Sequence, residues 1–240
     1  VPSAVLIENV TVHNILRNLS LRIAPGEAVA LIGRSGAGKT TVLRLLNGLT
    51  RPSSGTVLID TIALAGDLAV RRRSIGTILQ APALFPHRTV YENVATVPRL
   101  LGWPESRTRD EARALLDSLD LPLDRFGDRY PRSLSGGEQQ RCGIARSTIA
   151  RPPLLLCDEP FSALDPLVRK ELQDDFVALR DRGEATMLFV THDLAEALRV
   201  GRRIVLIDAG AIVCDLPRDE FLASELPLVR RFIEAARIPA

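Results

Sequence analysis

Lysine is almost missing from this sequence. Of 31 basic residues only Lys39 and Lys170 are lysine, and the rest are arginine, which reads as a coding bias towards GC-rich codons rather than as chemistry. A lysine kept against that bias is one whose work an arginine does not do. An excess of one charge is missing too. The 31 basic residues face 29 acidic ones, for a formal net charge of +2, so no broad positive field points to nucleic acid or anionic lipid. No apolar run approaches the ~18 residues that cross a bilayer. The first residues, Val1-Pro2-Ser3-Ala4, carry no basic-then-apolar leader pattern. Work at a membrane is therefore expected to pass through a partner. Cysteine is scarce: Cys142, Cys157 and Cys214 are odd in number and lack C-x-x-C spacing. That argues against a disulfide framework or a zinc site and fits a reducing cytosol.

What is there is ordinary for a folded chain: 240 residues, 46% hydrophobic and 25% charged, enough for one domain or one domain with an insert. Runs bounded by turn residues predict strands at Val5 to Val12, Leu19 to Ile23, Ala28 to Ile32, Thr56 to Ile62 and Ser74 to Leu79. A helix is expected from Thr40 to Leu49, and a helical, charged stretch from Tyr91 to about Tyr130. Within it, Glu105 to Leu119 turns Ala112, Leu115, Leu116 and Leu119 to one face. Further helices are expected at Gly137 to Ala150 and Pro166 to Arg180. Strands are expected at Leu154 to Cys157, Thr186 to Val190 and Arg203 to Ile207, before a C-terminal helical piece. Short apolar strands alternating with helices imply an α/β fold with a parallel sheet covered on both faces, and the helix-rich middle third reads as an insert.

The segment Gly33-Arg34-Ser35-Gly36-Ala37-Gly38-Lys39-Thr40-Thr41 follows an apolar strand and opens a helix. It satisfies G-x-x-x-x-G-K-[ST] in the context that gives the motif meaning. Glycines let successive N–H groups turn inward on phosphate oxygens, and the helix N-terminus adds positive potential. The Lys39 ammonium reaches the β- and γ-phosphates, and the Thr40 hydroxyl is a ligand for Mg²⁺. Downstream, Leu154-Leu155-Leu156-Cys157-Asp158-Glu159-Pro160 buries a strand and releases two carboxylates at its carboxyl end, where open α/β sheets bind ligands. Neighbouring strand residues point oppositely, which gives the pair different work. Asp158 is expected in the Mg²⁺ shell and Glu159 at the water that attacks the γ-phosphate. In Leu134-Ser135-Gly136-Gly137-Glu138-Gln139-Gln140-Arg141, Ser135 and Glu138 form a capping box. Read more sharply, the Ser135 hydroxyl and the N–H groups of Gly136 and Gly137 make a second anion site at a helix N-terminus, which suggests two chains sharing each nucleotide.

Taken with Gln80, Ser162-Ala163-Leu164-Asp165 and His192, these segments resemble the ATP-binding subunits of ABC transporters, in order and over nearly the whole chain. The resemblance implies a P-loop NTPase core (1–82 and 152–240) with an N-terminal antiparallel β part and an inserted helical subdomain (about 83–151). It implies ATP and Mg²⁺ as ligands, and a homodimer or a dimer with a close paralogue, each ATP lying between one phosphate loop and the partner's Ser135 and Gly137. Gln80 then matches the residue sensing Mg²⁺ and the attacking water, Asp165 a loop that speaks across the dimer, and His192 a switch contacting the γ-phosphate. His192 lies just before a helix expected to be capped by Asp193 and Glu196.

The stretch Leu84 to Pro104, with Arg129-Tyr130-Pro131 and Ala163-Leu164-Asp165-Pro166, resembles importers of the osmoprotectant group (glycine betaine, choline, carnitine, proline). That likeness implies transmembrane permease subunits docking on the Gln80–Trp103 region, with Phe85, Tyr91 and Trp103 exposed to a partner helix. It also implies an extracytoplasmic solute-binding protein acting indirectly, and a place on the cytoplasmic face of the plasma membrane. Two departures stand out. No Phe, Tyr or Trp precedes Phe85, so the ring that stacks on adenine in most relatives is missing and His13 is expected to substitute weakly. The sequence ends at Ala240, without the regulatory domains some such importers append, so osmotic sensing is expected elsewhere. An efflux motor and a soluble ATPase acting on DNA or ribosomes are the alternatives. Near-neutral charge and the lack of sustained heptads weigh against the latter and against a nucleic-acid partner.

Overall fold

The computed structural model describes residues 1–63, 68–162 and 164–236. Two antiparallel strands, β1 (Val5–Val12) and β2 (Leu16–Ile23), precede β3 (Ala28–Ile32), which is buried throughout. Helix α1 (Lys39–Leu46) leads to β4 (Ser54–Ile59) and β5 (Ile62–Ala63), and the short helix α2 (Leu68–Arg73) leads to β6 (Ile75–Ile78). The regular structure that follows is all helical: α3 (Val90–Val94), α4 (Thr96–Leu100), α5 (Glu105–Ser118), α6 (Leu123–Phe126), a 3₁₀ turn at Pro131–Ser133, and α7 (Gly136–Thr148). Strands and helices then alternate through β7 (Leu154–Asp158), α8 (Pro166–Arg182), β8 (Thr186–Val190), α9 (Leu194–Val200) and β9 (Arg203–Asp208). The described chain closes with β10 (Ala211–Pro217), α10 (Arg218–Leu222) and α11 (Pro227–Ala235).

The central sheet runs β10-β9-β3-β8-β7-β6, parallel except for β10, and a second, antiparallel sheet runs β2-β1-β4-β5. The two-residue period of its strands sorts the central sheet between two cores. Ala28, Ala30, Ile32, Leu155, Cys157, Met187, Phe189, Ile204 and Leu206 join a core filled mainly by helices. Val29, Leu31, Leu154, Leu156, Leu188, Val190, Val205 and Ile207 join one filled by α1 and the antiparallel sheet. Burial on both faces is why these strands are unbroken apolar runs rather than alternating ones. Each fully buried Leu or Ile contributes about 1.5–3 kcal/mol.

Three departures from the sequence expectation have local causes. The single strand expected over Thr56 to Ile62 is a hairpin, because Asp60 and Thr61 both take left-handed backbone (φ 53° and 65°), the geometry of a tight type I′ turn. The Asp60 carboxylate then accepts hydrogen bonds from Ser3 Oγ (2.6 Å) and Ala4 N (2.7 Å), tying the first strand to the turn. The residues after β9 were expected to be helical but first form β10, joined to β9 by Ala209 and Gly210 at φ 46° and 82°. Helix α1 stops at Leu46, short of Leu49, because Gly48 turns left-handed (φ 69°).

Candidate functional site

The phosphate-loop residues leave β3 and enter α1. A Cβ on Gly33 would lie 2.2 Å from the Ile207 carbonyl oxygen of β9, so the loop passes where only glycine fits. Gly38 begins α1 at φ 106° with no side-chain cap and no acidic residue in the first turn. The first N–H groups of the helix therefore have no partner within it and face the loop as anion donors. Arg34, Ser35 and Gly36 are exposed, whereas Ala37 is buried in the core beneath. Lys39 is 8% exposed and donates through Nζ to the Gly33 and Arg34 carbonyl oxygens at 2.7 and 3.0 Å. Burial lowers its pKa, and the nearby Glu159 and Asp158 carboxylates oppose that shift.

Asp158 ends β7 and inherits the parity of Leu154 and Leu156, which turns it towards α1. Thr40 Oγ1 donates to Asp158 Oδ1 at 3.4 Å. Burial raises the Asp158 pKa, with the Thr40 hydrogen bond pulling the other way. Glu159 leaves the strand altogether: its backbone is left-handed (φ 45°) while its N–H donates to the Val190 carbonyl at 2.9 Å. For a side chain of this kind that conformation costs of order 1 kcal/mol. It turns the carboxylate between two partners. Gln80 Nε2 donates to Oε2 at 3.2 Å, and His192 Nδ1 lies 3.1 Å from Oε1. The different surroundings expected of the two carboxylates are found, though strand alternation accounts for Asp158 alone.

Asp193 caps α9 alone, its Oδ1 accepting from Ala195 N and Glu196 N. The expected second arm from Glu196 is not made, because Thr191 Oγ1 already accepts the Asp193 N–H at 3.0 Å and itself donates to Glu196 Oε2 at 2.8 Å. Asp165 caps α8 through Leu167 N and Val168 N. Ala163 lies outside the described residues. Ser135 and Glu138 close both arms of the predicted capping box, at 2.6 and 3.3 Å. Among the described residues neither Ser135 nor Asp165 is hydrogen-bonded to the phosphate loop. Gly136 and Gly137 have ordinary backbone, and a Cβ would meet nothing within 4 Å at Gly136 and only Leu164 Cδ2, at 3.7 Å, at Gly137. Among the described residues nothing requires glycine there.

Of the three rings expected on the surface, Phe85 is exposed and Trp103 half-buried, but Tyr91 is not: it is 7% exposed, its hydroxyl donating to Glu105 at 2.6 Å. Tyr91 sits inside α3, whose start is fixed by a Thr89–Glu92 capping box, and this turns the ring inward. The T-x-x-E pattern at 89–92 was a readable signal that went unused. Phe85 borders a cleft of about 330 Å³ with Ala83, Thr96, Val97, Arg146 and Arg72. Arg146 donates to the Pro82 and Ala83 carbonyls. His13 is exposed at φ 37°, and Ile15, 46% exposed, lies beside Gly38. Sequence reasoning also passed over Gln140, whose amide reaches the Leu79 and Pro160 carbonyls, for which no sequence signal exists.

The ABC transporter family model matches residues 16–162. The chain belongs to the ABC transporter family. Among curated relatives of this ABC chain, the choline transport ATP-binding protein OpuBA of Bacillus subtilis is 43% identical over 93% of this chain and 59% of its own length. The glycine betaine/proline betaine transport system ATP-binding protein ProV of Salmonella typhimurium is 42% identical over 86% and 52%. The chain thus spans a little over half the length of the curated relatives it matches. Among solved structures, a dimeric ATP-binding cassette, MJ0796, in a post-hydrolysis state bound to ADP and Pi, is 32% identical with a TM-score of 0.80, over 89% of this chain and 98% of that one. The expected ABC ATPase fold, a parallel core with an antiparallel N-terminal sheet, is the one observed.

Proposed function

We propose that this chain is the ATP-hydrolysing motor of an ABC importer for a small osmoprotectant such as a quaternary amine, working as a head-to-tail dimer. The observation that carries the hydrolytic reading is the Glu159 carboxylate, held by Gln80 and His192 beyond the Thr40–Asp158 pair. The phosphate loop (Gly33–Thr41) and the N-terminus of α1 bind the phosphates, with Lys39 on the β- and γ-groups. The Thr40 hydroxyl, an Asp158 oxygen and the Gln80 carbonyl are hard oxygen donors. Among the described residues no group of three or more His, Cys, Asp or Glu forms a metal cage, which suits an ion that keeps water and phosphate ligands. Those three residues would hold Mg²⁺, which offsets charge on the β- and γ-phosphates when bound. Glu159 orients a water and accepts its proton as the water oxygen bonds to γ-phosphorus and the bond to the β–γ bridging oxygen breaks. His192 orients Glu159 through Nδ1 and contacts the γ-phosphate.

The open face of Gly136 and Gly137 supports the shared pocket. Glycine in a helix costs about 0.5–1 kcal/mol against alanine, and an N-terminus stripped of side chains leaves room for a partner's nucleotide, which Ser135 and both N–H groups then meet. Asp165 lies beside that seam. Residues 1–82 and 152–240 form the nucleotide-binding core, and 83–151 a helical subdomain. The Phe85 cleft, lined only in part by the Gln80–Trp103 region, receives a permease helix. Among the described residues no helix is long and apolar enough to cross a membrane. In this reading the chain sits on the cytoplasmic face of the inner membrane through its permease, and a solute-binding protein outside supplies the solute. The named substrates of OpuBA and ProV support the solute class. The test is copurification from the native membrane, followed by ATPase assays of the complex with choline, glycine betaine and an unrelated sugar. Stimulation by a quaternary amine is expected, and stimulation by the sugar alone refutes the solute class.

A further inference from the structure

Helix α7 reaches the backbone beside Gln80 and Glu159 through the Gln140 side chain. Gln140, five residues beyond Ser135, is 1% exposed. Its Nε2 donates to the Leu79 carbonyl at 3.2 Å and to the Pro160 carbonyl at 2.9 Å. Leu79 immediately precedes Gln80, and Pro160 immediately follows Glu159. Since Gln80 Nε2 in turn donates to Glu159 Oε2 at 3.2 Å, the contacts close a ring: α7, the end of β6, the Glu159 turn, and back to α7. The orientation of the amide is fixed by chemistry, because two carbonyl oxygens need two N–H protons and only the nitrogen end supplies them.

The amide does this at a cost. Among the described residues Gln140 Oε1 is buried with no hydrogen-bond partner, and a buried unpaired acceptor is unfavourable where a methionine of similar size is not. Other contacts already fasten the helix: Ser147 Oγ donates to the Thr77 carbonyl at 2.7 Å, and Arg146 to the Pro82 and Ala83 carbonyls at 2.9 Å each. Docking of α7 therefore does not depend on Gln140, whose amide instead ties together the two segments that run on beyond the β6–β7 pairing.

We infer that Gln140 is a positioning residue that, from helix α7, fixes the final Gln80–Glu159 geometry beyond what the sheet register provides. Resting on the shared-pocket reading, it joins the end of α7 that meets the partner's nucleotide to the carboxylate that serves this chain's own nucleotide. A small misplacement of such a pair costs on the order of a hundredfold in turnover. Movement of α7 on engaging one nucleotide thus reaches the hydrolytic carboxylate at the other.

The test uses Gln140→Met, with the unfolding midpoint recorded to establish that it folds. Nucleotide affinity is expected to change by less than about threefold while kcat falls by about tenfold or more. A loss of affinity in step with kcat, or an unchanged kcat, overturns the proposal. Dimers of differently tagged chains, one always carrying Glu159→Gln, then locate the effect. With Gln140→Met on the hydrolysing chain turnover falls, and with it on the Glu159→Gln chain turnover stays near that of the dimer lacking it. Equal loss in both arrangements overturns action on the chain's own carboxylate. A third dimer, with Ser135→Arg on the Glu159→Gln chain, separates the two readings: it loses activity when the pocket is shared and keeps it when it is not, whatever Gln140 does.

Discussion

His192 Nδ1 lies 3.1 Å from Glu159 Oε1, and sheet register is what brings them together. Strands β7 and β8 are neighbours with Asp158 opposite Val190, and β6 lies on the other side of β7 with Ile78 opposite Cys157. The carboxyl ends of three adjacent parallel strands therefore deliver Gln80, Glu159 and His192 to one place, as the topology of open α/β sheets dictates. If Glu159 is the water-activating base, Glu159→Gln keeps both neighbours within hydrogen-bond reach but removes the proton acceptor. Turnover is expected to fall by about 10²–10⁴ with nucleotide binding retained, and the nucleotide-loaded chain to elute as a dimer on size exclusion. Turnover near the wild-type rate refutes the assignment.

Gly136 gives a prediction in which stability and activity part company. Its backbone is compatible with alanine and a Cβ there meets nothing, so Gly136→Ala is expected to stabilise the isolated chain by about 0.4–1 kcal/mol through the unfolded state. The same methyl stands where a partner's nucleotide would approach, and ATPase activity is expected to drop. Urea midpoints and steady-state rates check both. A stabilised chain with full activity contradicts the shared pocket.

Asp158 yields a pH dependence. Burial raises its folded pKa above the unfolded value. Between those two values the folded chain therefore holds more protons than the unfolded one, and stability falls as pH rises through that window. Asp158→Asn removes this penalty, so without divalent cation it is expected to be more stable than wild type at pH 7. The difference should vanish near about pH 3, where the carboxyl is neutral in both states. The variant is also expected to lose hydrolysis. Thermal unfolding across pH with a chelator present checks this, and a variant less stable at pH 7 contradicts it.

Most of the candidate site's local geometry was legible because it is set by contiguous residues. Gly33 to Thr41, Asp158 with Glu159, and the Ser135–Glu138 box are contiguous patterns whose geometry follows from a strand, a turn and a helix start. What was not legible depends either on residues far apart in sequence or on which of two local contacts prevails. Nothing near Gln140 says that two carbonyls at 79 and 160 will converge on it, and the sequence around Glu196 does not say that Thr191, five residues away, will claim its carboxylate before the cap does. Tyr91 looked like a surface ring until the α3 cap set its direction. The hairpin at Asp60-Thr61 was hidden because neither residue is the glycine that usually marks such a turn.

The last prediction concerns the base. No Phe, Tyr or Trp precedes Phe85, and exposed apolar surface beside the start of α1 comes from Ile15, 46% exposed and close to Gly38. An aliphatic side chain offers either purine dispersion contact but no face-to-face stacking and no hydrogen bond that tells adenine from guanine. ATP and GTP are therefore expected to bind within about threefold of each other, whereas Ile15→Tyr supplies a stacking face and should tighten both about tenfold, since base–aromatic stacking contributes about 1–3 kcal/mol. His13 is exposed and lies two residues away, so His13→Ala is expected to weaken binding only slightly. Calorimetric titration of the wild type and both variants decides the matter: ATP binding more than about tenfold tighter than GTP in the wild type requires an adenine-reading group that Ile15 and His13 do not supply.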